Sequence, residues 1–268
     1  MNLLKPEQLE EKIYEIIGRN LPKDIDPFWM ALFDGSLSME GLRHWAKQLF
    51  FMTDGFGRFT SAIHANCPVF EVRHVLAETI YEEHGRMLAG KDHPELYRKF
   101  TRALGISDEE LAATPPLPET DLLIDWLHDL CHHRHFVEAL AGFGVGVEGQ
   151  ANKGIPIFVS VFRSKYGLSE DAIEFWTTHA EDDIEHGRRS LEIVLGYAHT
   201  PALQAGVLEC VRKSMERLML FHHGIGRAFT GRISDERLAA NALSRHFSNP
   251  ATTPKQRVGA QCAECGTA

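Results

Sequence analysis

This chain predicts an all-α fold, on three observations. Apolar residues recur at intervals of three and four nearly throughout, period-two alternation is almost absent, and the breaks carry Pro, Gly or helix-capping residues. Helices are expected over 6–19, 27–34, 39–65, 69–89, 93–104, 107–113, 119–148, 152–166, 170–198 and 201–230. Several have a stated local cause. The 39–65 segment contains RHWAKQLFFMTDGFGRFTSAIH, and Val72, Leu76, Thr79 and Ile80 form the buried face of 69–89. His93 opens 93–104 after a GRMLAGKD turn, and Ser107-Asp-Glu-Glu110 is a capping box for the next helix. The linker AATPPLPET (112–120) is the clearest break, yet it is short and flanked by core-bearing helices, so it reads as a loop within one bundle. Val137, Leu140, Ala141 and Gly144 make the apolar stripe of 119–148. Ser169, ahead of Glu170 and Asp171, starts 170–198, and Pro201 suits the first turn of the last helix. Apolar periodicity fades after Thr230. The expected organisation is a single helical-bundle domain, 1–247, followed by a disordered tail, 248–268.

The chain has 268 residues and 44% hydrophobic content, enough for an ample core. No apolar run approaches about 20 residues, so no membrane span is expected. A net charge of −9 offers no basic stripe to neutralise phosphates, which argues against nucleic acid and in favour of a small-molecule ligand. The start, MNLLKPEQLEEKIYEII, lacks the basic-then-apolar pattern of a secretory signal, so a cytoplasmic location is expected. Cys67, Cys131 and Cys210 are scattered, as in a reducing compartment, and Cys262 and Cys265 form a C-x-x-C pair in the terminal tail.

The segment FWTTHAEDDIEHGRR carries the strongest chemical signal. His179, Asp183 and His186 fall within roughly 60° of one another on a helix, and Phe175, Trp176, Ile184 and Leu191 are expected to border that sector and turn it inward. Three such groups together are costly to bury unless a cation or a hydrogen-bond network holds them, and a metal is the economical explanation. Plain polar core histidines, with Asp183 fixing their tautomers, are the alternative.

Partners must come from other helices. Glu83 continues the buried series of 69–89, whereas Glu82 is rotated about 100° towards the polar side of Glu71 and Glu78. Glu148 ends the stripe of 119–148, among Gly142, Gly144, Gly146 and Gly149, where backbone or ligand can approach closely. His93, a short loop after Glu83, can swing back to the same centre or act simply as a helix-start residue; His84 is the substitute. His128, His132 and His135 lie roughly 140–200° from Glu148 along one continuous helix, so they are expected to meet solvent or a partner such as a second copy in a dimer. A ferritin-like store would need E-x-x-H pairs from two helices. The pair Glu71 and His74 faces away from Glu83, so that pairing fails.

The series EEHGRMLAGKDHPELYRKFTRALG, VGVEGQ and HAEDDIEH, within roughly residues 25–225, resembles the haem-oxygenase-like family that includes the PqqC, TenA and CADD-like proteins, and more closely its diiron oxidase and oxygenase branch. The resemblance implies a haem-oxygenase-like helical bundle. It implies Glu83, His93, Glu148, His179, Asp183 and His186 as ligands for two Fe(II), with Mn an alternative and O2 as co-substrate. Glu83 and Asp183 would bridge or cap the pair in catalysis. It further implies oxidation of a small, amino-acid-derived substrate by N-oxygenation or by carbon–carbon or carbon–hydrogen cleavage, an external electron donor and a homodimer. Phe50, Phe51, Phe56 and Phe59 would line the substrate pocket, Lys47 and Arg58 are candidates for a substrate carboxylate, and Tyr81 is a less favoured radical tyrosine. A metal-free PqqC- or TenA-like enzyme is the second reading and a ferritin-like iron-binding protein the third.

Overall fold

Each amphipathic helix has one apolar stripe to bury, and a bundle is how the chain buries them together. A computed structural model describes residues 2–20 and 27–230, leaving aside the side chains of 151–153 and 181–183. Among these residues the chain forms helices and no strand. They are α1 (Pro6–Asn20), α2 (Pro27–Asp34), α3 (Met39–Thr53), α4 (Phe56–Asn66), α5 (Phe70–Glu83), α6 (His93–Ala103), α7 (Asp108–Ala113), α8 (Pro118–His133), α9 (Phe136–Leu140), α10 (Gly149–Ser164), α11 (Glu174–Tyr197) and α12 (Pro201–Phe229). A 3₁₀ turn, Gly85–Met87, follows α5, and a π-helical segment, Ala141–Glu148, joins α9 to α10. Met1–Thr230 is one compact unit, with α12 packed on α1, α8 and the π segment, and α11 packed on α10. The expected tail, 248–268, lies outside the described residues, as do residues 231–247 of the expected domain and the Cys262/Cys265 pair. No described helix is long and apolar enough to cross a membrane.

The Ser107 cap of the expected capping box is present, and the starts expected at His93 and Pro201 carry caps beyond those expected. Ser107 Oγ accepts from the Glu110 N–H at 3.1 Å, Thr200 Oγ1 accepts from Leu203 at 3.1 Å ahead of Pro201, and Asp92 Oδ1 accepts from Glu95 at 3.0 Å to open α6. Four ends differ from the sequence expectation. The 39–65 helix breaks at Asp54–Gly55, and α11 starts at Glu174, after a turn in which Ser169 Oγ accepts from Ala172. The 69–89 helix stops at Glu83. There Gly85 takes φ +61°, and a Cβ on it would overlap the backbone of Lys91 and Asp92. Only a glycine lets the chain fold back over itself this tightly, and the reversal returns His93 to the end of α5.

The fourth difference is the largest. The expected continuous helix 119–148 is broken by Arg134, at φ −93° and ψ 163°, and it restarts when His135 caps α9. Counting angles from His128 to Glu148 across that break has no geometric meaning, although His128, His132 and His135 are all exposed. Beyond α9 the backbone widens into the π form before α10, a local adjustment that recurs at functional sites.

An aromatic cluster of Trp45, Tyr97, Phe100, Phe158, Phe162 and Trp176 fills the core beside α11. The Tyr97 hydroxyl donates to Ala46 O at 2.8 Å, so its polar end is satisfied there. Ile184, expected inside, is 57% exposed. It lies about 140° around the helix from His179, beyond the buried sector.

The α10–α11 contact is set by two glycines: a Cβ on Gly187 would come within 2.9 Å of Gly149 Cα, a backbone atom that has no rotamer to yield. We expect Gly187→Ala to lower stability by about 1–3 kcal/mol in urea unfolding. Gly196→Ala, in the same helix with open space around it, should raise stability by up to about 1 kcal/mol through helix propensity.

Candidate metal centre

Five buried ionisable side chains from separate elements converge where α5 ends. Glu83 is the last residue of α5 and His93 the first of α6; Glu148 closes the π segment, and His179 and His186 lie two turns apart on α11. The glycine contact holds α11 against the start of α10, one residue beyond Glu148 and one beyond His186, and so sets those two side chains together. His186 Nδ1 lies 2.8 Å from Glu148 Oε1, and its Nε2 lies 2.8 Å from Glu82 Oε2. His93 Nδ1 is 2.9 Å from Glu83 Oε2, and the His93 and His179 rings are 4.2 Å apart. Donor atoms of Glu83, His93 and His179 lie within 4.8 Å of one another, and so do those of Glu83, Glu148 and His186. Glu83 belongs to both groups.

Asp183 lies on α11 between the two histidines, and its side chain is outside the described residues. His84, the substitute for His93, is exposed. Sequence reasoning missed Glu82, whose side chain is only 13% exposed. The available signal was Thr79. That buried residue stands about 60° from Glu82 and about 40° from Glu83, so the stripe admits both acids, and the helix unwinds directly after them.

The protonation states follow from these contacts. His179 Nδ1 lies 2.7 Å from Phe175 O; a carbonyl can only accept, so Nδ1 carries the hydrogen and Nε2 keeps a free lone pair. Burial, with His93 alongside, pushes the His179 imidazolium down to about 3, so the ring is neutral. His186 is the opposite case. Burial disfavours its charge, but Glu148 and Glu82 accept from both nitrogens, Glu83 adds its field, and the pKa rises to about 10. Burial also works against the Glu83 carboxylate, and His93, followed by His179 and His186, outweighs it and holds the pKa below the usual value.

This donor set fits iron. Imidazole and carboxylate suit Fe(II), and bundle diiron sites draw carboxylates and histidines from facing helices. Among the described residues, buried His93 Nδ1 has no hydrogen-bond partner and is not aligned with Glu83 for one, and His179, with its hydrogen on Nδ1, keeps Nε2 as a lone-pair donor to a metal. Both are ready ligand atoms.

A cavity of about 320 Å³ reaches Glu83 and His179. Trp29, Phe33, Trp45, Phe158 and Trp176 supply much of its wall. Of the four expected phenylalanines, Phe56 lines it; Phe59 is core against Phe143, Phe50 stacks on Tyr97, and Phe51 is not part of the wall. Lys47 pairs with Glu110 at 3.1 Å and Arg58 is exposed, so neither faces the cavity. Tyr81 is also exposed.

A family profile described as iron-containing redox enzyme matches residues 43–219. The chain is 32% identical over 226 residues to a 4-aminobenzoate synthase of Nitrosomonas europaea, spanning 80% of this chain and 90% of that one. Its fold is similar to a TenA homologue of Pseudomonas syringae pv. tomato, with TM-score 0.70, 17% identity, and coverage of 82% of this chain and 91% of that one. It is also similar to a haem-oxygenase-like domain of Shewanella denitrificans, with TM-score 0.69, 16% identity, and coverage of 87% and 97%. These structures share the fold.

Iron has to compete with a proton on His186. Its pKa is raised from 6.5 to about 10, so its charged form stabilises the metal-free fold fully below 6.5, and that contribution is lost as pH rises through about 10. We expect Fe(II) binding at pH 7 to release at least one proton and to tighten by up to about tenfold per pH unit towards pH 9. Anaerobic calorimetry in two buffers of different ionisation enthalpy measures the proton count.

Proposed function

We propose that this chain, which belongs to the iron-containing redox enzyme family, binds two Fe(II) ions and uses dioxygen to oxidise a small, amino-acid-derived molecule in a biosynthetic reaction. One observation carries the reading: two buried donor groups share the Glu83 carboxylate at the wall of a ring-lined cavity. In this reading Glu83 would serve both ions, His93 and His179 would hold one, and Glu148 and His186 would hold the other, with Asp183 and Glu82 as further carboxylates. Bound iron would supply the electrons that activate dioxygen.

The chain's own residues do the rest. Glu83, held ionised, provides negative charge for two cations without a proton to lose first. His179 presents Nε2 because Phe175 O fixes its other nitrogen. The apolar wall excludes water from the substrate, which strengthens every electrostatic contact made there. His186 must yield its extra proton to solvent on binding, because Glu148 and Glu82, which accept from it in the metal-free chain, are themselves carboxylates of the site. The relative's name supports 4-aminobenzoate as the first product to seek. We further infer a cytoplasmic homodimer served by an external electron donor. The free, buried Cys67, Cys131 and Cys210 suit a reducing compartment, and the exposed His128 and His132 lie on a face open to a second copy.

Anaerobic Fe(II) titration followed by mixing with oxygenated buffer tests the reading. About two irons per chain, oxygen consumption, and 4-aminobenzoate or a related arylamine by mass spectrometry are expected. Absence of specific iron uptake would move the protein to a metal-free TenA- or PqqC-like role. The shared carboxylate gives a sharper arm. His179→Ala or His186→Ala should each leave about one iron, whereas Glu83→Gln should lower uptake at both positions, with helical circular dichroism unchanged in all three. Equal losses in all three variants would remove the bridging role.

A further inference from the structure

The cavity has a polar feature that the oxidation chemistry leaves unused. His222, on α12, lines it, and its Nδ1 is buried with no hydrogen-bond partner among the described residues. Trp29 packs edge-on against the imidazole, with ring centroids 4.4 Å apart at 76°, and donates from Nε1 to the His222 carbonyl at 3.1 Å. That pair of contacts fixes the imidazole in the wall. From Trp29 the rings continue through Phe33 at 6.1 Å, Phe158 at 5.3 Å, Trp176 at 5.6 Å and Phe175 at 5.0 Å to His179 at 4.0 Å. His222 thus stands at one end of a succession of rings and the metal donors at the other.

Charge narrows the ligand further. Among the described lining residues Glu83 is the sole formally charged group, and no Lys or Arg is present to neutralise a carboxylate. A buried carboxylate without a cationic partner is strongly disfavoured, so at the His222 end, away from the metal donors, the carboxylate of a free amino acid fits poorly. The volume, about 320 Å³, is ample for one substituted ring, since an apolar cavity of roughly 150 Å³ already holds benzene. The ring walls favour a planar guest by offset or edge-on packing.

We propose that His222 determines the specificity of this cavity by hydrogen-bonding the polar end of an uncharged, single-ring aromatic substrate, a phenol or an aniline, whose ring lies among the Trp29, Phe33 and Phe158 rings. A neutral imidazole offers one donor and one acceptor; with Nδ1 sealed in the wall, the contact with the ligand falls to Nε2. Burial holds the ring neutral, with its pKa pushed down to about 3 and His223 contributing, which matches an uncharged partner. This assignment rests on the cavity being the substrate site.

The test uses iron-free, full-length protein and reads quenching of tryptophan fluorescence, since Trp29, Trp45 and Trp176 line the cavity. p-Cresol should bind saturably and about tenfold more tightly than toluene, which lacks the hydroxyl, and L-tyrosine should not saturate. His222→Leu should bring p-cresol to the toluene level while toluene binding, a control for the fold, stays unchanged. His222→Asn, which keeps a donor and an acceptor, should restore the preference. Equal affinity for p-cresol and toluene, saturable binding of L-tyrosine, or a preference that survives His222→Leu would overturn the proposal. Failure of iron uptake would sink the oxygenase reading and leave these binding results standing.

Discussion

The fold is organised around one electrostatic constraint: carboxylates and imidazoles gathered at a dry point where α5, α6, α11 and the π segment meet. Ionised groups placed there singly would be destabilising, and they are tolerable because each has a counterpart. Glu148 and Glu82 compensate His186, and Glu83 lies against His93. The cluster holds more negative capacity than its own positive groups discharge, and that surplus suits a divalent cation. Glu82 also lies 3.7 Å from Arg189, which links the buried cluster to the charged outer face of α11.

Two backbone devices make the convergence possible. Gly85 permits the tight reversal after α5, so residues ten apart in sequence become neighbours in space. The Gly149–Gly187 contact lets two helices approach closely enough for a glutamate on one and a histidine on the other to share a hydrogen bond. Both act through the absence of a side chain, next to residues whose side chains carry the chemistry. The cavity follows from the same arrangement, because the aromatic cluster that walls it is anchored on α3, α10 and α11.

Much of this was legible in the chain. Helical periodicity located the elements, and the i, i+7 pair His179 and His186 faces inward because two turns of an α-helix return a side chain to the same side. Glu83 and Glu148 were legible for a related reason, as acids standing where a buried stripe expects an apolar residue. Glu82 was not, because helical-wheel reasoning assigns a face to every residue and loses meaning in the last turn, where the chain is about to leave the helix. The break at Arg134 and the π segment escaped for a similar reason: both preserve local apolar patterning while changing the phase between distant residues. Ile184 was misplaced by treating an apolar neighbour in sequence as a neighbour on the surface. The role of His222 in the wall depends on α2 and α12 meeting, a long-range contact that no local pattern encodes.

The π segment has a consequence for how the sequence can vary. Each residue in a wide turn sweeps a smaller angle than in an α-helix, so Ala141–Glu148 sets the rotational phase between α9 and everything after it. Loss of a single residue there would let the backbone relax into a regular helix, a locally better-bonded state. The residue lost and the wider sweep of those that remain roughly cancel, so Glu148 and the start of α10 would keep about their present phase relative to α9. Straightening the segment at its present length is the change that would turn them, by roughly 100°, so the aim of one carboxylate rests on the backbone form of the segment and not on any one side chain within it.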